Sequence, residues 1–306
     1  EYALILSGDQ LYQMDFNEMI EAHIKSEADI SIATLPVNAK DAPEFGILKT
    51  NKDSFIESFI EKPAKELLSD WKSDVSEQMK SEGKDYLASM GIYIFNKKLL
   101  VELMNNPESK DFGKEIIPQA VGNQKILSYQ YEGYWTDIGN IDSFFEANIG
   151  LTTDLPVFNL FDDDNKIFTR PRLLPPSKFK NTLIEKSLIS EGCILKAKEI
   201  KSSVIGIRSR IGEETVIQNC YIMGNDFYQT LEEMNEDTKN DKILVGIGER
   251  CFISNALVDK NCRIGNEVYI KGGAHLADFS NELYAIKDGI VVVKKGAVLP
   301  DNYKIG

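Results

Sequence analysis

Histidine is nearly absent from this chain. Only His23 and His275 carry an imidazole among 306 residues, which rules out a His-rich metal site. Positive charge is also scarce: the formal net charge of −13 argues against a nucleic-acid or anionic-membrane surface, because such a field repels polyphosphate. A small phosphorylated ligand, held by a few local cations, stays compatible with that charge. No apolar run approaches the roughly 18 residues of a membrane span. The four cysteines, Cys193, Cys220, Cys251 and Cys262, lie in the last third without CxxC spacing. They read as small core residues in a reducing compartment, not as a disulfide frame or a zinc site. No signal peptide is visible, so a cytoplasmic protein is expected. An initiator Met is missing too; the chain opens EYALILSGDQLY, with a short apolar strand running straight into Ser7-Gly8-Asp9.

What is present divides into two periods. Up to about residue 150, strand-like and helix-like stretches alternate. Ala3–Leu6 reads as a strand, Phe16–Ser26 as an amphipathic helix, and Asp29–Pro36 as a strand. Phe45–Lys49 and Ser54–Glu61 read as a strand pair around Asn51-Lys52-Asp53, and Lys65–Ser81 as a polar surface insertion. Tyr86–Asn96 is a strand, Lys97–Met104 a helix and Lys125–Tyr131 a strand. Such alternation indicates an α/β layer fold, with ligands beyond the carboxyl ends of the strands.

Leu155–Lys180 breaks this rhythm. Its PRLLPPSK stretch cannot sit inside a helix or a central strand and reads as an extended linker. Beyond it, Ile211, Ile217, then Ile247, Ile253, and Val258, Ile264, Ile270 recur at steps of six with one step of five. That period marks a parallel β-helix of hexapeptide coils whose aliphatic residues point into a prism. An ordinary sandwich would instead show period two. The stretch Asn225–Lys242 interrupts the repeat and is expected to be a loop thrown out from the coils. The domains expected are therefore 1–152, a Pro-rich linker over 153–180, and the β-helix over 181–306.

Three stretches of the first half carry candidate chemistry. Asp9 sits at the carboxyl end of the first strand, where open α/β sheets place metals and phosphates. Asp137, in YWTDIG, is a second acid set between aromatics and glycine. Lys62, in FIEKP, is a compact point charge suited to phosphate, next to Glu61. Singly each signal is weak, since Asp after Gly is ordinarily a turn residue and Glu-Lys-Pro ordinarily surface. Together they suit a Mg²⁺ site with one or two carboxylates and a lysine clamp, a set fitted to phosphoryl or nucleotidyl transfer. Spacing alone does not show that they converge.

The segments SGDQLYQMDF, FIEKP, ASMGIYIF, DFGKEIIP, YWTDIGNIDSFFEAN, RPRLLPPSK, SSVIGIRSRIG and VGIGERCFISNALVDKNCRIG run in one order along the chain. In that order they resemble the ADP-glucose pyrophosphorylase (glucose-1-phosphate adenylyltransferase) family, most closely its cyanobacterial and plant branch. The resemblance implies a Rossmann-like nucleotidyltransferase domain, N-terminally truncated, followed by a left-handed β-helix. It implies ATP and glucose 1-phosphate as substrates, ADP-glucose and pyrophosphate as products in glycogen or starch synthesis, and Mg²⁺ as cofactor. By the matching motifs Asp9 and Asp137 would hold the metal, Glu61 the glucose hydroxyls and Lys62 the sugar phosphate. Gly46, Ser89 and Trp135 would line the sugar pocket. The family's Gly-rich nucleotide loop has no counterpart before Asp9, so the chain is expected to be a fragment inactive alone.

The resemblance further implies metabolite effectors, a homotetramer or hetero-oligomer, and a plastid location for a plant source. Lys260 in VDKNCRIG and Lys287 in AIKDGIVVV stand where that branch places activator-binding lysines; solvated coil-edge lysines are the alternative. Arg208 and Arg210, two apart, would form an outward dipositive patch for an anion. Three other readings stay open. One is another sugar-1-phosphate nucleotidyltransferase; one is a non-catalytic regulatory subunit; one is a hexapeptide acyltransferase with His275 as base.

Overall fold

The computed structural model describes residues 1–105, 111–164 and 166–306. Contacts divide the chain into two compact units, Glu1–Trp135 and Thr136–Gly306.

The first unit is a mixed sheet flanked by helices. Its elements are β1 (Tyr2–Ile5), β2 (Gln10–Tyr12), α1 (Phe16–Lys25), β3 (Ile30–Val37), β4 (Gly46–Thr50), β5 (Ile56–Glu61), α2 (Glu77–Ser81), β6 (Tyr86–Asn96), α3 (Lys97–Met104), α4 (Ile117–Ala120) and β7 (Ile126–Gln130). Asp15 caps α1 by accepting from the Asn17 backbone N–H at 2.8 Å, which satisfies one orphan donor of the first turn. Met19 and His23, four residues apart, are the buried residues of that helix, as a 3.6-residue period requires of one face. The segment expected to be a polar insertion carries a 3-10 turn over Lys65–Trp71 before α2.

The sheet runs β5–β4–β6–β3–β7, with β1 also on β6. Only β3 and β7 are parallel. β6 pairs along one edge with β3. Its opposite edge is shared: β1 covers Tyr93–Asn96 and β4 covers Leu87–Ala88. Between the two, residues 89–92 of β6 have no strand on that side among the described residues. The β3–β6 register shifts at the same place, between Ile32 and Thr34, and Gly91 stands at φ 68°. A glycine takes that left-handed backbone without steric cost, which is how a bulge of this type forms.

The second unit begins at Thr136 and opens with Asp137 and the helix α5 (Ile141–Gly150), capped by Asn140 on the Ser143 N–H at 2.9 Å. Phe145 of this helix is buried with Leu257 and Ile290, and Ile141, Phe144 and Ile149 pack on the same cluster. The contact boundary therefore falls before α5, earlier than the change of periodicity near 152, because this helix spends its apolar face on the coils. Among the described residues of 155–177 there is no regular element, and Leu155, Phe168 and Leu173 are almost fully exposed.

From Lys178 onward parallel strands stack into a prism. Ile200 lies over Ile217, Ile217 over Ile253, and Ile253 over Ile270. Leu195 lies over Ile211, Ile211 over Ile247, and Ile247 over Ile264. All seven residues of the six-step repeat are buried, each contributing roughly 1.5–3 kcal/mol of apolar burial. Corner residues take left-handed backbone, among them Asn219 and Asn255 at φ 50°, a conformation asparagine tolerates better than most residues. Their amides join consecutive coils, Asn219 donating to Asn255 at 2.7 Å and Asn255 to the Gly272 carbonyl at 3.1 Å.

The interruption at Asn225–Lys242 is not an irregular loop throughout: it contains α6 (Leu231–Lys239). Thr230 and Glu233 form a reciprocal capping box, at 3.2 Å and 2.7 Å, which nucleates a helix in a charge-rich segment. A second interruption is an antiparallel excursion, Phe279–Ser280 and Tyr284–Lys287 returning to Ile290–Val293. Among the described residues no helix is long and apolar enough to cross a membrane.

All four cysteines are buried and unbridged. Each thiol lies against coil carbonyls, as Cys220 does against Ile253 O at 3.4 Å and Cys262 against Lys294 O at 3.3 Å. Burial pushes the Cys220 thiol up to about 12 and the Cys262 thiol up to about 11. Since the thiolate is the reactive form, an Ellman titration of the native chain at pH 8 is expected to modify no cysteine quickly; unfolding in guanidinium should release all four. Fast native labelling would contradict the stacked interior.

His23 is 1% exposed, with Nδ1 at 2.7 Å from Ser31 Oγ and Nε2 at 3.4 Å from Asn96 Oδ1. Burial lowers its pKa, and the Asn96 hydrogen bond and the Asp29 charge oppose this without overcoming it. The folded state thus binds fewer protons than the unfolded state, so stability is lost as pH falls through about 6.5 and below. Unfolding free energies measured between pH 7.5 and 5.5 should fall less steeply with acidification in His23→Gln than in the wild type.

Candidate active site

The gap on the edge of β6 borders the Asp9 loop and carries Ser89. Ser7-Gly8-Asp9 follows β1 directly. Asp9 is exposed, and its Oδ1 accepts from Ser7 Oγ at 2.5 Å. A Cβ on Gly91 would stand 3.2 Å from Gln10 Nε2 and 3.6 Å from Ser7 Cβ, so the bulge of β6 and the Asp9 loop are in contact. Ser89 occupies the strand just before the bulge, and its hydroxyl accepts from the Gly91 N–H at 3.3 Å.

Trp135 links this loop to the β4–β5 pair. Its indole donates to Gln10 Oε1 at 3.1 Å, and its ring meets Phe45 edge-on with centroids 5.5 Å apart. Phe45 precedes Gly46, which pairs across the hairpin with Glu61. Gly46 is glycine for a steric reason. A Cβ there would meet the Phe59 ring at 2.6 Å and Glu61 Oε2 at 2.8 Å, closer than carbon contacts allow.

Lys62 departs from β5 with φ 45°, a left-handed backbone that costs a non-glycine residue on the order of 1 kcal/mol. Its backbone N–H donates to Phe45 O at 3.0 Å, and Pro63 follows. These two constraints turn the chain sharply and send the side chain outward; the residue is exposed. Among the described residues neither the Glu61 carboxylate nor the Lys62 ammonium has an ion-pair partner.

The structure adds residues to which the sequence reading gave no role. Tyr93 is buried, stacked on Phe112 with centroids 5.7 Å apart. Burial raises its phenol pKa; the Ser89 hydroxyl opposes that rise, and the charges of Glu61 and Asp111 add to it. Asp111 caps the wide helical turn Phe112–Ile116 by accepting from the Lys114 N–H at 2.8 Å. A Cβ on Gly113 would lie 3.5 Å from Asp111 Oδ1 and 3.6 Å from Glu61 Oε2. Ser89, Tyr93, Glu61 and Asp111 thus form one polar cluster around an aromatic wall. The DFG stretch at Asp111–Gly113 was the available signal, and Tyr93 was hidden because it reads as an ordinary strand aromatic.

Asp137 belongs to the second unit, where its Oδ1 accepts from the Gly139 N–H at 2.7 Å. As donors Asp9 and Asp137 are both carboxylates, the hard oxygen ligands that Mg²⁺ prefers. Among the described residues no group of three or more Asp, Glu, His or Cys gathers as a cage, which a metal completed by substrate phosphates and water does not need.

The remaining candidates lie in the coils. Lys260 Nζ pairs with Asp226 at 2.7 Å and Lys287 Nζ with Asp278 at 2.5 Å. The Arg208 guanidinium lies 5.6 Å over the Tyr228 ring and donates to Asn225 O at 3.4 Å. Arg210 lines a cavity on the coils. His275 is exposed in the second excursion from the coils.

Two family models match the chain. Residues 1–154 match the model described as nucleotidyl transferase. Residues 172–303 match the model described as the GLGC left-handed parallel beta-helix domain.

Gly46→Ala is expected to lower the unfolding free energy by about 1–3 kcal/mol through overpacking against Phe59 and Glu61. Urea denaturation measures it, and an unchanged midpoint would mean that the hairpin relaxes freely.

Proposed function

This chain belongs to the nucleotidyl transferase family, and from that premise we propose that it serves the reaction of ATP with glucose 1-phosphate to give ADP-glucose and pyrophosphate. The pairing of a nucleotidyl transferase domain with a GLGC-type β-helix is the domain architecture of the glucose-1-phosphate adenylyltransferase family. The observation that carries the reading is the pair Glu61–Lys62. An acceptor and a cation, neither of them ion-paired among the described residues, leave adjacent positions of one strand end, opposite a glycine whose missing side chain lets the Phe59 ring and the Glu61 carboxylate close on its backbone.

In this reading Glu61 accepts from the sugar hydroxyls and Lys62 faces the sugar phosphate. Ser89, Tyr93 and Asp111 supply further polar contacts, and Trp135 and Phe45 supply the apolar wall on which a pyranose lies. Gly46 lines the sugar pocket by letting the Phe59 ring and the Glu61 carboxylate pack against its backbone.

The chemistry asks little of acid–base groups. A phosphate monoester has its second pKa near ~6, so glucose 1-phosphate is largely a dianion at neutral pH and is already a nucleophile. Its phosphate oxygen forms a new bond to the α-phosphorus of ATP. The bond from that phosphorus to the bridging oxygen breaks, and pyrophosphate leaves with the electron pair. The protein's tasks are to align two anions and to offset their repulsion, which explains how two histidines suffice. Mg²⁺, for which Asp9 and Asp137 each offer a carboxylate, would supply Lewis-acid neutralisation of the nucleotide phosphates. An anionic effector at Lys260 or Lys287 would compete with Asp226 or Asp278 for the ammonium.

Glucose 1-phosphate binding, measured by calorimetry on this chain, tests the reading. Lys62→Ala and Glu61→Gln are each expected to weaken it by about ten- to a hundredfold, the range for losing one charge-assisted hydrogen bond. Equal affinity in the wild type and both variants would sink the assignment.

A further inference from the structure

A cavity of about 490 Å³ lies within the second unit, between one face of the coils and the inserted segment carrying α6. Parallel register aligns Ile194, Arg210, Gly246, Arg263 and Val298 in one column across successive coils. Their partners one residue on, such as Ile211 and Ile264, are buried in the prism, so this column faces outward. With coils about 4.8 Å apart, the Cα atoms of Arg210 and Arg263 are roughly 10 Å apart.

Between those arginines the column is bare. Gly246 stands at φ 115°, and a Cβ there would meet the Arg210 carbonyl oxygen at 2.6 Å, so no side chain can fill the space. The two arginines then differ in employment. Arg263 donates to Asp237 at 2.7 Å and to the Ile243 carbonyl. Asp237 also accepts from Gln229 at 2.7 Å, and Gln229 accepts from the Val245 N–H at 2.7 Å. This knot fastens the inserted segment to the coils as the far wall of the cavity. Arg210 has no side-chain partner among the described residues, although it is half-buried.

Carboxylates near the cavity do not answer Arg210. Glu249 is engaged by Arg250 at 3.0 Å, and Asp301 accepts from the Asn266 N–H at 2.7 Å. Lys196, beside Arg210 on the wall, shares its one carboxylate, Glu213, with a closer Lys180, at 3.5 Å against 2.8 Å. Asp241, on the inserted segment, is the remaining acid of the lining.

We propose that this cavity binds a small organic oxyanion, anchored by the Arg210 guanidinium above the bare Gly246 backbone, with its carbon skeleton against Ile194 and Leu244. A guanidinium presents paired donors that match a phosphate or carboxylate edge, and a half-buried guanidinium without a partner is costly unless something answers it. The site is separate from the Glu61–Lys62 cluster and does not depend on adenylyl transfer.

Residue-resolved NMR of the full chain, titrated with inorganic phosphate and in parallel with acetate at constant ionic strength, tests the proposal. At least one probe should produce saturable shifts at the amides of Arg210–Gly212 and Gly246–Gly248; the stronger probe identifies the preferred head group. Arg210→Gln should weaken that binding by about tenfold or more, while Lys62→Ala leaves it unchanged. Arg210→Lys keeps the charge and is expected to bind with intermediate affinity, which separates loss of the anchor from loss of fold. Shifts at these amides that do not saturate with either probe, or an unchanged midpoint in Arg210→Gln, would overturn it.

Discussion

One edge of an eleven-residue strand is served by two partners that do not meet, and the candidate active site depends on that mismatch. Because β1 ends its pairing at Tyr93 and β4 begins at Ala88, the backbone between them must be satisfied by something other than a ladder. The bulge and the left-handed Gly91 meet that need in part by turning an N–H onto Ser89. The two loops that leave the gap, one after β1 and one before β4, then carry Asp9 and Phe45-Gly46. Chemistry-bearing residues remote in sequence are thereby gathered without any one loop being long.

The second unit solves stability in another way. Its strands are only two to seven residues long, too short to stand alone, and each is held by the coils above and below. The core is a column of Ile, Leu, Val and Cys side chains, so cohesion is local and repeats along the axis. That arrangement frees the outward faces and corners for charged residues, and most of the ion pairs there are exposed and contribute little each.

The two units differ in how much of them the sequence disclosed. The prism was legible because a six-residue period has few alternative explanations, and every Ile and Val of that pattern points inward. In the first unit the strands Tyr86–Asn96 and Ile56–Glu61 were legible from apolar runs, but their order in the sheet was not, since long-range pairing leaves no local mark. Lys62 and Glu61 were visible as a motif; the left-handed turn that orients Lys62 was not. Tyr93 and Asp111 escaped because one looks like core and the other like a helix cap, and each is in fact that as well. The helix α6 was not legible although its Thr230–Glu233 cap was readable, because none of its residues is buried and it carries no apolar stripe.

The insertion that carries α6 has a further consequence. Ile217 stacks on Ile253, and Ile222 on Val258, in unbroken register although this whole segment lies between their coils. A coil therefore takes its place from the coil beneath it, not from the length of chain that delivers it. Closing a longer excursion adds only a logarithmic entropy term. The corner of the prism behaves as a port at which segments of different length and charge can be exchanged while the column stays intact. Whatever the cavity beside Arg210 selects can consequently diverge among related chains much faster than the scaffold that holds it.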